Sequence, residues 1–145
     1  MKPVSALLIV DDNPADVGLA REALGRCAYR GQVDSVGDGV EALAFLNRRE
    51  KFASATRPDL VILDLNLPKK NGLAVLAGMK ADPELRRIPV VIFSTSQLSR
   101  DITRSYELGA NCYVSKPGNL NQFFLAVKSI EEFWIGFVSL PQRGE

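Results

Sequence analysis

Histidine is absent from all 145 residues, so no imidazole is available as base, nucleophile or metal ligand. Cysteine is scarce. Cys27 and Cys112 are the only two; they lack metal-ligand spacing and read as thiols of a reducing compartment, not as a disulfide. Neither sign of charge dominates, with 18 basic against 17 acidic residues, which removes the electrostatic footprint of a DNA binder or of a protein held at an anionic membrane. Long hydrophobic runs are missing too. The first apolar stretch, 6–10, is too short for a signal-peptide core or a spanning helix, and it runs into an acidic pair. These absences point to one cytoplasmic domain over 1–145.

What the chain does have is alternation. Five apolar runs, 6–10, 32–36, 60–63, 90–93 and 112–114, alternate with five helix-period stretches, the pattern of βαβ units around a mostly parallel sheet. The first, third and fourth runs are apolar almost throughout and belong at the centre, whereas Gln-Val-Asp-Ser-Val at 32–36 alternates and suits an edge. Helix starts are marked by Asn13 before Pro14, by Asp38 before Gly39, and by Asn71 before Gly72. Ser99 is expected to cap a fourth helix that Gly109 stops. The expected stripes are Val17, Ala20 and Leu24 on the first helix, Val40, Leu43 and Ala44 on the second, and Leu73, Leu76 and Ala77 on the third. The last helix carries the longest, with Phe123, Val127, Ile130, Trp134 and Phe137. The polar stretch 48–58 reads either as a helix extension or as a surface loop.

The chemistry collects at strand ends. Leu7-Leu8-Ile9-Val10 runs into Asp11-Asp12, Leu60-Val61-Ile62-Leu63 into Asp64, and Cys112-Tyr113-Val114 into Ser115-Lys116-Pro117. In open parallel sheets ligands bind beyond the carboxyl ends of the strands, so three carboxylates and one ammonium are expected together. Two carboxylates about 4 Å apart repel by about 4 kcal/mol at an effective dielectric near 20, so such a cluster implies a cation. All-oxygen ligation without His or Cys favours Mg²⁺, which keeps several waters and shares its coordination with a phosphate. Lys116 adds positive charge, and Pro117 fixes the chain after it; a cis bond there would aim the lysine inward. Ser94, Thr95 and Ser96 follow the fourth apolar run, with Ser94 the first candidate to donate to a phosphoryl oxygen, and Tyr113 sits on the fifth.

These residues, in this order and at these separations, resemble the receiver domain of two-component response regulators over essentially the whole chain. The resemblance implies a flavodoxin-like (βα)5 fold, a five-stranded parallel sheet of order 2-1-3-4-5 with helices on both faces. It implies that Asp64 accepts phosphate from a phosphohistidine, that Asp12 binds Mg²⁺ directly, that Asp11 acts through water, and that Asn66 contributes its backbone carbonyl. It places Ser94 and Lys116 on the phosphoryl group and makes Tyr113 the aromatic that swings inward when Ser94 is drawn toward it. Finer segments, including 48–58, 82–89, 105–113 and Phe133-Trp134, resemble the stand-alone regulators paired with bacterial phytochrome histidine kinases.

The reading that follows is a phospho-accepting switch, not an enzyme: a histidine kinase donates, and with no output domain expected after Pro117, the output is a protein contact. A Mg²⁺-dependent phosphohydrolase with an aspartyl-phosphate intermediate is the alternative, but it needs an acid where Asn66 stands. A nucleotide or flavin binder would need a glycine-rich cradle where Asp11-Asp12-Asn13-Pro14 stands. The stretch 133–145 extends the last helix with apolar residues on every side, which suggests a homodimer through that helix and tail.

Overall fold

The computed structural model of the chain describes residues 6–141. Strand burial follows the apolar content. Every residue of β1 (Ala6–Val10), β3 (Leu60–Leu63) and β4 (Val90–Ser94) is buried, whereas β2 (Gln32–Val36) and β5 (Cys112–Ser115) are largely half-buried or exposed. The five pair in parallel in the order β2-β1-β3-β4-β5, so the runs expected at the centre are central and β2 is an edge.

Because successive strand residues point to opposite faces, each strand feeds two cores. Leu8, Val10, Val61, Leu63, Val90 and Ile92 pack against α2 (Gly39–Leu46) and α3 (Gly72–Ala81), where Leu46, Leu76 and Met79 are fully covered. Leu7, Ile9, Leu60, Ile62, Val91 and Phe93 pack against α1 (Pro14–Gly25) and α5 (Leu120–Glu131) through Leu24, Phe123, Val127 and Ile130. Each fully buried Leu, Ile or Phe contributes roughly 1.5–3 kcal/mol. Helix α4 (Ser99–Glu107) is the exception, with Ser105 its one buried residue.

Helix starts behave as the capping chemistry requires. Asn13 Oδ1 accepts from the N–H groups of Ala15 and Asp16, Asp38 accepts from Glu41 N–H, and Asn71 from Ala74 N–H. Asn119 does the same for α5. Ser99 does not cap α4. It is the first helical residue, after Leu98, and the Ser96 hydroxyl takes the Leu98 N–H instead. Gly109, at φ 103°, ends that helix in a conformation only glycine adopts without strain.

Two other expectations need correction, and the alternative left open for 48–58 is decided. The α2 stripe is misplaced: Val40 is half exposed, and Ala42, Phe45 and Leu46 form the buried side, because a helix apolar nearly all round carries little phase information. The stretch 48–58 is not an extension of α2; it contains a single 3-10 turn, Glu50–Phe52, whose Phe52 ring packs edge-on against Phe45 at 5.3 Å. The last stripe holds through Trp134 and fails at Phe137, because Glu132–Phe137 winds as a π-helix and rotates its last side chains out of phase. Trp134 and Ile135 still pack on the α1/α5 core, whereas Phe133 and Phe137 are 56% and 79% exposed.

Candidate functional site

The sheet delivers the site residues through its own hydrogen bonds. Register pairs Val10 with Leu63, so Asp11 and Asp64 leave adjacent strands side by side. The Asp64 N–H donates to Val10 O at 2.9 Å, the Asp11 N–H to Val36 O at 3.1 Å, and the Lys116 N–H to Ser94 O at 2.7 Å. Behind Asp64 the chain doubles back so closely that a Cβ on Gly72 would lie 2.3 Å from the Asp64 carbonyl oxygen. Glycine is required there by the approach of two backbones. The loop between them is also tied to α2: Lys69, at φ 66°, places its ammonium 3.5 Å from Asp38.

Lys116 is buried and its ammonium donates to three carboxylates, Asp11 Oδ2 at 2.7 Å, Asp16 Oδ2 at 2.9 Å and Asp64 Oδ2 at 2.9 Å. Burial opposes the lysine's charge, but hydrogen bonds to the three acids outweigh it and hold the pKa above the ordinary lysine value. Burial pushes the Asp11 carboxyl up, with the Asp64 charge adding to the rise, against hydrogen bonds from Lys116 and from the Asn13 N–H. The other oxygens of the two buried acids face backbone: Asp11 Oδ1 accepts from Asn13 N–H at 2.9 Å, and Asp64 Oδ1 from Asn66 N–H at 3.2 Å.

Asp12 is exposed beside them, and Asp11, Asp12 and Asp64 offer carboxylate oxygens within 4.8 Å of one another. Their donor chemistry fits a hard divalent cation: oxygen ligands only, on one open side, with one ammonium to offset four carboxylates. That side opens into a cleft of about 460 Å³ whose lining includes Asp12, Asn66, Asn71 and Asp101.

Ser94 is the last residue of β4 and completely buried. Its hydroxyl accepts from the Ser96 N–H at 3.4 Å. Tyr113, on β5, is half-buried, and its phenol donates to Ser96 O at 2.7 Å. Burial raises the Tyr113 pKa, opposed by hydrogen bonds with Ser96 and Ser94. The Ser96 hydroxyl donates to Asp101 Oδ2 at 2.6 Å, which binds the loop after β4 to the first turn of α4. The bond before Pro117 is trans, as is every peptide bond among the described residues, and Lys116 is aimed by its three carboxylates.

Thus Asp11, Asp12, Asp64 and Lys116 converge, with Asn66 on the cleft and Ser94 and Tyr113 joined through Ser96. Two participants were missed from sequence, Asp16 and Asp101. Each is an acid in the first turn of a helix that begins just past a strand end, and that placement is the signal that marks them.

Residues 7–128 match the response regulator receiver domain model. Response regulator Rcp1 of Synechocystis sp. is 43% identical over 139 residues, covering 96% of this chain and 95% of that protein. The crystal structure of the Mn(2+)-bound form of Rcp1 superposes with a TM-score of 0.92 over 95% of this chain and 99% of that one. That of the phosphorylated cyanobacterial phytochrome response regulator RcpA is 50% identical, with a TM-score of 0.92 and coverage of 95% and 99%. With the sheet order, the strand-end acids and the lysine all in place, the chain belongs to the response regulator receiver domain family.

Proposed function

We propose that the protein is a single-domain response regulator over 1–145 that accepts a phosphoryl group on Asp64 from a histidine kinase. The observation that carries this reading is the Lys116 ammonium, held 2.9 Å from Asp64 Oδ2 in an acid cluster built for a divalent cation. An oxygen of the Asp64 carboxylate attacks the phosphorus of the partner's phosphohistidine. The new O–P bond forms as the N–P bond breaks and returns its electron pair to the imidazole. This accounts for a chain without histidine. Lys116 neutralises phosphoryl oxygens, and Ser94 donates its hydroxyl to one of them. Mg²⁺, with Asp12 as direct ligand, Asp11 through water, Asp64, and the backbone carbonyl of Asn66, would supply two further positive charges to the transferring group. Rcp1 in its Mn(2+)-bound form and RcpA in its phosphorylated form support the assignment by likeness.

Drawing Ser94 toward the phosphoryl group would disturb the Ser96 link that fixes the Tyr113 phenol, so Tyr113 and the lightly packed α4 form the reporting surface. The likeness to RcpA supports a phytochrome-type kinase as donor. The protein acts as a cytoplasmic signalling switch, not as a turnover enzyme; among the described residues no helix is long and apolar enough to cross a membrane. Exposed Phe133 and Phe137 support pairing of two copies through the carboxyl-terminal segment 133–145, whose residues 142–145 lie outside those described.

Asp64→Asn tests the central claim. It is expected to fold as wild type and to lose at least about a hundredfold in labelling by phosphorylated kinase or acetyl phosphate, the scale of removing a nucleophile. Acid-stable labelling of the variant at the wild-type rate would falsify the assignment. Turnover of a small phosphate ester by the wild type would favour the phosphohydrolase alternative.

A further inference from the structure

Asp16 is the one acid on Lys116 that does not come from a strand end. It stands in the first turn of α1, where its backbone N–H is fixed by the Asn13 side chain at 3.2 Å, and its side chain is 22% exposed. An ammonium has three N–H donors, and Asp11, Asp16 and Asp64 take one each. When Asp64 becomes an acyl phosphate its contact with Lys116 is the one that must change, whereas Asp11 and Asp16 keep their carboxylates. Two of the three donors therefore remain engaged, and one is left for the phosphoryl oxygens.

We propose that Asp16 is a positioning residue of this site: it holds one donor of Lys116 and offsets its charge, which biases the site toward the divalent cation and against the anionic phosphoryl group. This rests on the reading of Asp64 as phosphoacceptor. The direction follows from Coulomb's law alone, since removing one negative charge weakens the hold on a cation and strengthens the hold on an anion. A freed N–H acts in the same sense on the phosphoryl oxygens. A residue that merely kept α1 in place would behave differently, because loosening the site weakens both ligands together.

The test is a pair of calorimetric titrations on the full chain, first with Mg²⁺ alone and then with beryllofluoride, an anionic phosphoryl mimic, at saturating Mg²⁺. Asp16→Asn keeps the side-chain shape and the backbone cap. It is expected to bind Mg²⁺ about three- to tenfold more weakly and beryllofluoride about three- to tenfold more tightly. Asp16→Glu retains the charge and is expected to stay within about twofold of wild type for both. Any result for Asp16→Asn in which the two affinities do not move in opposite directions overturns the proposal, as does a shift in Asp16→Glu matching that of the amide. If the wild-type chain binds neither probe, the phosphoacceptor reading falls and this proposal with it. Normal wild-type binding with parallel losses in Asp16→Asn removes this proposal alone.

Discussion

Asp11 is held by the fold in a state its own charge disfavours. Burial raises its pKa above the ordinary value of 3.8, and the nearby Asp64 charge adds to the rise, against hydrogen bonds from Lys116 and Asn13. Between 3.8 and the higher folded value the native state binds more protons than the unfolded chain, so stability falls as pH rises through that window and stays reduced at neutrality. Lys116 works in the opposite sense. Its folded pKa lies above the ordinary 10.5, so its stabilisation is complete below 10.5 and is lost only as pH rises through the folded value. Asp11→Asn is therefore expected to raise the melting temperature of the metal-free protein near neutral pH, with the gain shrinking as pH falls through the folded value and vanishing below 3.8, where the wild-type acid is protonated in both states. Melting curves in a chelator across that range check it. An equal gain at every pH would place the cause elsewhere than in the carboxyl's titration.

At the scale of elements, the site is a meeting of strand ends and helix starts, and two elements have separable jobs. The turn from β3 into α3 fixes Asp64, since the Gly72 N–H donates to Leu65 O at 2.9 Å and a Gly72 side chain would strike the Asp64 and Leu65 backbone. Gly72→Ala is expected to cost about 2 kcal/mol in urea denaturation, because backbone cannot yield as a flexible side chain does, and to slow phosphorylation of Asp64 as well. Unchanged stability and labelling would show that the two segments can part freely. Helix α4, by contrast, buries only Ser105 and is bound to the site through Ser96 and Asp101, which suits an element that moves. Ser94→Ala is expected to keep phosphoryl labelling within about tenfold of wild type while abolishing the change in amide exchange over α4 and β5, since a hydroxyl donor helps bind the group without forming its bond to Asp64. Equal exchange changes in variant and wild type would remove Ser94 from the switch.

Across the whole molecule, one face of the sheet is closed by α2 and α3 and the other by α1 and α5, and the chain continues beyond what that closure needs. Trp134 and Ile135 pack on the core, but Phe133 and Phe137, within the π-helix, face outward. The proposed cover for these exposed aromatics is a second copy of the chain. A chain ending at Glu132 is expected to remain monomeric at micromolar concentration where the intact chain pairs, and Phe137→Ser to weaken association by about tenfold or more, the scale of one buried aromatic. Light scattering decides, and pairing by the shortened chain as tight as that of the intact one would take the tail out of the interface.

Local pattern in the chain was enough to tell the central strands from an edge and to set the acids at strand ends. Short uninterrupted apolar runs between helix-period stretches suit central strands, alternation at 32–36 suits an edge, and residues that end parallel strands emerge on one side. Caps at Asn13, Asp38 and Asn71 were legible because they act within four residues. Tertiary structure decided whatever depended on phase or on distance across the fold. The burial face of α2 was set by packing, because an almost wholly apolar helix has no preferred side. The end of the last stripe was set by a π-helix that no spacing announces. The aim of Lys116 was set by three carboxylates, one of them Asp16, 100 residues away along the chain, and not by a bond to Pro117. Local pattern records what one segment wants, whereas the third partner of an ammonium is known only once α1 and the end of β5 have been brought together.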